Sequence, residues 1–99
     1  MESESNKLEI LRNELRDCDE RLLELLHSRF VLSERLGREK LALGLAAHQE
    51  GEWQRKVQLL TARSRALSYR DEVLRVFQTI HHESVKVQKR VFGSDGSMG

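Results

Sequence analysis

No proline occurs anywhere in the 99 residues, and from Leu8 to Leu43 apolar side chains recur with no glycine pair to interrupt them. Leu8, Leu11, Leu15, Cys18, Leu22, Leu25, Leu32, Leu36 and Leu43 carry this pattern, whose three- and four-residue steps trace one face of an α-helix. Asn6 followed by Glu9 has the spacing of a helix cap, with Ser5 an equally good choice. Gly37 alone does not break a helix, so the next stop is Gly44. The spacing therefore predicts a first helix of about 36 residues, roughly 54 Å at 1.5 Å per residue. A compact monomer of 99 residues has a radius of gyration of about 13 Å, so such a helix projects beyond any core the remaining residues can build. Its exposed stripe calls for a second chain, most simply a two-fold homodimer in which the long helices pack together. The alternative is a kink near Gly37 that folds the helix back on itself.

The rest of the chain reads as helical too. A second helix is expected from Glu50 or Glu52 to Arg65, with Val57, Leu60 and Leu67 facing inward. Ser68 with Asp71 resembles the cap of a third, whose stripe is Val73, Val76, Phe77, Ile80, Ser84, Val87 and Val91 and which Gly93 ends. The expected organisation is a flexible N-terminus over 1–7, a single helical domain over 8–92 and a disordered Gly/Ser-rich tail over 93–99. Only 5% of the residues are aromatic and Leu, Glu, Arg and Lys are abundant, which suits helices and not sheets. All-α is the expected class.

Lys+Arg 17 against Asp+Glu 16 leaves a net charge of +1, so composition gives no case for a dedicated nucleic-acid or membrane binder. No apolar run approaches the roughly 20 residues that cross a bilayer. Met1 to Lys7 is acidic and polar, unlike a secretory signal, and the one cysteine, Cys18, has no internal partner. A cytoplasmic location is expected, with Cys18 buried in the leucine stripe rather than acting as a nucleophile.

The informative residues are polar ones placed where a bundle wants apolar side chains. Arg29 continues the stripe of the first helix, and Lys40, eleven residues on, falls within about 20° of the same face, which Ser33 and Leu36 share. Glu34 and Glu39 point elsewhere, so two inward cations lack a local acid, and unpaired buried cations are costly. Either an anionic ligand satisfies them, or a cross-chain bridge to an acid such as Glu83 does, or both stems reach out to water. Ser84 and Gln88 repeat the anomaly on the third helix, as ligand contacts or as a helix-to-helix hydrogen-bond pair. Arg12 lies about 25 Å along the axis and about 100° around it from Arg29. Those two cannot grip one small molecule within a single helix, though an antiparallel dimer brings Arg12 of one chain towards Arg29 and Lys40 of the other; taken singly, Arg12 reads as a solvated surface arginine. His27, His48, His81 and His82 lack the spacing of a metal site and read as structural or solvent-facing, with His81 a candidate for the pocket wall. Trp53 reads as a core anchor. There is no Gly-rich phosphate loop, no Ser/His/Asp arrangement and no catalytic carboxylate pair.

Leu11-Arg12, the run Asp19 to Leu26, Arg29, Lys40 and the closing Phe77 to Ser84 with Gln88 together resemble the all-helical chorismate mutases of the AroQ class, from Leu8 to about Lys89. The resemblance implies an intertwined homodimer of three-helix chains, each site taking one arginine from the partner. It implies the Claisen rearrangement of chorismate, a small dicarboxylate, to prephenate, a one-substrate step needing no nucleophile, metal or cofactor. Such a step is accelerated by holding the reactive conformation and stabilising charge on the breaking ether oxygen. In those terms Arg29 and the partner chain's Arg12 clamp the carboxylates, Lys40 reaches a carboxylate and the ether oxygen, Gln88 donates to that oxygen, and Ser84 assists at a carboxylate. The second helix departs from the family, where an Asp in the connector precedes an Arg-Glu pair: Gln49, Glu52 and Trp53 stand there, or His48, Gly51 and Glu52 if the register slides by one. The arginine is missing either way. A rewired chorismate mutase, a mutase for 4-amino-4-deoxychorismate whose ammonium suits Glu52, an isochorismate pyruvate lyase and a non-catalytic helical interaction protein are the readings this leaves.

Overall fold

A computed structural model describes the backbone of residues 2–96 and the side chains of residues 5–93. It contains three helices, α1 (Glu2–Ala42), α2 (Glu50–Ser64) and α3 (Arg70–Gly96), with no strand among the described residues. The all-α expectation holds, and α1 at 41 residues is longer than the spacing suggests. Two boundaries need correction. Helical backbone begins at Glu2, ahead of the cap residues Ser5 and Asn6, because no proline or glycine precedes Gly37 to stop the helix extending. Gly93 does not end α3, which continues to Gly96; a single glycine weakens a helix by about 1 kcal/mol relative to alanine without terminating it. Residues 97–99 of the expected tail lie outside the described residues.

The chain divides into two units, residues 1–31 and 32–99. The first contains only the leading part of α1. Leu8, Leu11, Leu15, Leu22 and Leu25 are all at least half exposed there, and Cys18 is exposed with them. The burial expected for Cys18 is absent because this unit has no second element to cover the stripe. Its polar side is held by local pairs, Arg12 Nη1 to Glu9 at 3.1 Å and Arg16 Nη1 to Asn13 at 3.1 Å, of the exposed kind worth about 0.3–0.5 kcal/mol.

The second unit begins with the last turns of α1, whose end is built by its sequence. Gly44 takes φ 73°, the left-handed conformation a side chain resists. The Gly44 N–H then donates to Leu41 O at 3.1 Å and the Leu45 N–H to Lys40 O at 2.8 Å, the paired bonds of a Schellman stop. This turns residues 45–49 back along the helix they have just left. Gln49 follows in extended conformation as the residue before α2, with Glu50 and Glu52 in the first turn, where acidic side chains favour the helix dipole. Asp71 and Glu72 do the same for α3.

α2 and α3 pack against each other, with Val57, Leu60, Phe77 and Ile80 half-buried between solvent and core. Leu67 and Val76, expected to face inward, are 53% and 55% exposed: Leu67 falls in the turn after Ser64, beyond the end of α2, and Val76 lies off the row that meets α2. The most buried side chains include Ser33, Ser64, Ser84 and Gln88, with Ala47 and Val91 the buried apolar residues. So the face of α1 turned to α3 is the small and polar row Ser33, Gly37, Lys40, while Leu32, Leu36 and Leu43 remain exposed. Such a core holds only if its polar atoms are paired, and among the described residues no buried side-chain nitrogen or oxygen lacks a hydrogen-bond partner.

Candidate functional site

Lys40 stands on the last turn of α1, and the Schellman turn that follows brings its own connector back over it. Its ammonium donates to Ala47 O at 2.8 Å and, across 48 residues of sequence, to Gln88 Oε1 at 2.8 Å. Both acceptors are neutral. Burial pushes the Lys40 ammonium below the ordinary lysine range, and the negative charge of Glu52 opposes part of that shift. The cation is therefore held by dipoles, with a carboxylate near enough to be felt but not bonded to it: Glu52 forms its ion pair with Arg55 one turn along α2.

Gln88 is 5% exposed, and Ser84, one turn earlier on the same face of α3, is 4% exposed. Opposite them is Gly37. A Cβ at that position would lie 3.0 Å from Gln88 Cα and 3.2 Å from both Gln88 Cβ and Cγ, so a glycine is what lets α3 come this close.

A second cluster adjoins the connector. The His81 imidazole stacks on the Trp53 indole, ring centroids 3.8 Å apart at 16°, and His48 meets His81 edge to face at 5.3 Å. His81 Nε2 and His48 Nδ1 are 3.3 Å apart, and His48 Nε2 is 2.8 Å from Glu50 Oε2. The hydrogen bond from His48 draws the Glu50 carboxyl below its usual range. An ionised carboxylate only accepts, so His48 Nε2 carries the proton in this contact. Among the described residues no three His, Cys, Asp or Glu side chains are grouped as metal ligands.

Of the residues singled out in the sequence, Lys40 and Gln88 are in direct contact, Ser84 is buried beside Gln88, Glu52 acts on Lys40 through space, and Trp53 faces His81 rather than forming a buried anchor. Gln49 is the residue on which α2 starts. Arg12 and Arg29 belong to the other unit. Arg12 is exposed and paired with Glu9; Arg29 is half-buried, and burial lowers its guanidinium from the ordinary value. The histidine pair was not evident from sequence, because His48 sits in a connector without period. The sequence reads Gly37 only as a residue the helix tolerates or kinks at, although a glycine inside a long helix is itself a sign of close approach.

A family model described as chorismate mutase type II matches residues 11–89. The chain belongs to this family. The match takes in α2 and the larger parts of α1 and α3, and with them every residue of both clusters. No curated protein and no solved structure matched the chain. For this chorismate mutase family member, the matched region thus includes the contact between the half-buried Lys40 and the buried Gln88, with the aromatic and imidazole group standing where α2 begins.

Proposed function

We propose that the protein catalyses the rearrangement of chorismate to prephenate at a site built around Lys40 and Gln88. The observation that carries this is the Lys40 contact itself: a cation in a partly buried setting whose hydrogen-bond partners are a carbonyl and a carboxamide. A cation needed only for the fold is most economically paired with a carboxylate; one left on neutral acceptors keeps its charge for an anionic ligand. This favours the enzyme over a helical interaction protein, a reading that requires Lys40 to be paired to a protein acid.

In the proposed mechanism Arg29 and Arg12 of a second copy bind the two carboxylates, with Ser84 assisting at one of them. Lys40 binds a carboxylate and the ether oxygen, and the Gln88 amide donates to the same oxygen as its bond to carbon breaks. Conformational restraint and this stabilisation of developing charge account for the acceleration. The exposed leucines of residues 8–25 support an intertwined homodimer, since an apolar stripe of this length is normally covered.

Glu52 favours one second reading, turnover of 4-amino-4-deoxychorismate. Its carboxylate is felt by Lys40, which is unfavourable for a dianion but favourable for a ring ammonium. The test is loss of chorismate absorbance with purified protein at neutral pH, products identified, with the 4-amino analogue and isochorismate in parallel. Prephenate from chorismate supports the main reading, turnover of the amino analogue alone transfers it to the second, pyruvate release from isochorismate alone makes the protein a lyase, and inertness towards all three overturns the enzyme.

A further inference from the structure

We propose that Gly37 is a positioning residue for the reaction assigned above: its missing side chain seats the Gln88 backbone against α1 and holds the carboxamide on the Lys40 ammonium. The inference rests on that functional reading for its kinetic test and on geometry alone for its structural one.

Gly37 is not there for its backbone freedom. It lies in the helical interior of α1, and the one positive-φ glycine among the described residues is Gly44. The α1 backbone would accept alanine at 37 and gain helix preference by it. The obstacle is Gln88. Its Cα, 3.0 Å from the position of an added Cβ, is part of α3 and cannot swing aside, and its Cγ at 3.2 Å can move only by changing the rotamer that carries the carboxamide to Lys40. By contrast, a Cβ at Gly93 meets nothing within 4 Å.

The roles of the neighbours follow from stiffness. Lys40 has a long flexible stem and follows wherever its acceptors are, so it cannot by itself locate Gln88. The rigid reference is the backbone-to-backbone contact three residues earlier, with Ser33 one turn before it and Ser84 one turn before Gln88 keeping both helix faces narrow. A shift of a few tenths of an ångström here changes where the amide donor points, and donors act on a transition state only when aimed at it beforehand.

Four variants test this: Gly37→Ala, Gly93→Ala, Gln88→Ala and the double variant Gly37→Ala/Gln88→Ala. Gly37→Ala is expected to lower kcat at least about tenfold while KM changes by no more than about threefold, because misalignment is felt at the reacting atoms. Gly93→Ala is expected to leave both unchanged. In the Gln88→Ala background the Gly37 substitution is expected to add less than about a twofold loss, since residues acting through one another are non-additive. The side-chain amide resonance of Gln88 is expected to move in Gly37→Ala and not in Gly93→Ala. An unchanged kcat in Gly37→Ala, or an equal proportional loss with and without Gln88, overturns the proposal. If Gly37→Ala lowers Tm, Gly37→Ala/Gly93→Ala is expected to recover Tm without recovering kcat; recovery of both also overturns it. A wild-type protein inert towards chorismate counts against the assigned reaction, and the amide resonance then decides the role of Gly37.

Discussion

Lys40 Nζ lies 2.8 Å from Gln88 Oε1, and this one contact fixes which way the carboxamide faces. An ammonium has only donors and must meet the amide oxygen, so the Gln88 NH2 group is turned away from Lys40. A charged and a neutral donor are thereby held next to each other on two helices. The proposed mechanism asks both donors to converge on the ether oxygen as it gains negative charge.

Replacing the amide by an acid tests this division of labour. Gln88→Glu keeps the shape, but its carboxylate has no proton to donate, and Lys40 beside it favours the ionised form. At neutral pH the variant is expected to lose activity by at least about 100-fold, the scale of losing one aimed donor. Acidification that protonates the new carboxyl restores the donor, so activity should climb as pH falls, while the wild type, whose amide does not titrate, shows no such requirement. A pH-rate profile from neutral to mildly acidic conditions decides the matter; parallel profiles for the two proteins exclude Gln88 as the donor.

Lys40 couples activity and stability with opposite signs. Its folded-state pKa is lowered by burial, so between the folded and unfolded values the unfolded chain holds a proton that the folded one has lost, and stability rises with pH across that window. Below the window the charged side chain subtracts from stability throughout. Lys40→Met removes that penalty but leaves Gln88 Oε1 and Ala47 O without their donor, so the two effects offset and Tm is expected to change little at neutral pH while kcat/KM falls at least about 100-fold. Wild-type activity should decline in alkali before a free lysine would titrate. Thermal melts and turnover on the same preparations read both effects, and a large fall in Tm for Lys40→Met shows the residue to be chiefly structural.

How far these features were legible differs residue by residue. Lys40, Ser84 and Gln88 stood out because each interrupts an apolar face, and the Gly44 stop was readable because one left-handed residue is enough to end a helix. Burial was less readable. A stripe records which residues share a face but not what covers it: the leucines of residues 8–25 are exposed, as the length of the helix predicts, and Cys18, expected to be buried among them, is exposed too because residues 1–31 contain nothing to cover it. Leu67 and Val76 fall on apolar stripes yet are exposed, because a period says neither where a helix ends nor which row of it the neighbouring helix meets. The His48 to His81 contact depends on the path of residues 45–49, which the Gly44 turn directs and no sequence period encodes.

Arg29 separates ligand binding from assembly. Its guanidinium is half-buried on α1, and burial lowers it from the ordinary value. Arg29→Ala is expected to reduce kcat/KM at least about 100-fold, as expected for loss of a charge-assisted carboxylate contact, and to leave the mass of the proposed homodimer, measured by light scattering, unchanged. Dissociation of the oligomer in this variant assigns Arg29 to the interface instead.

Trp53 reports on the second cluster because it is the only tryptophan in the chain. Its indole lies 3.8 Å from the His81 ring, which reaches His48 and through it Glu50. Emission from Trp53 therefore reads the stack directly: His81→Leu is expected to shift it by deleting the stacked ring, in a protein that circular dichroism shows still folded. Glu50→Gln removes the carboxylate that accepts from His48 Nε2 and is expected to shift the emission less, because Glu50 reaches the indole only through His48 and His81. Unchanged emission in His81→Leu shows that the indole is reporting something other than this stack.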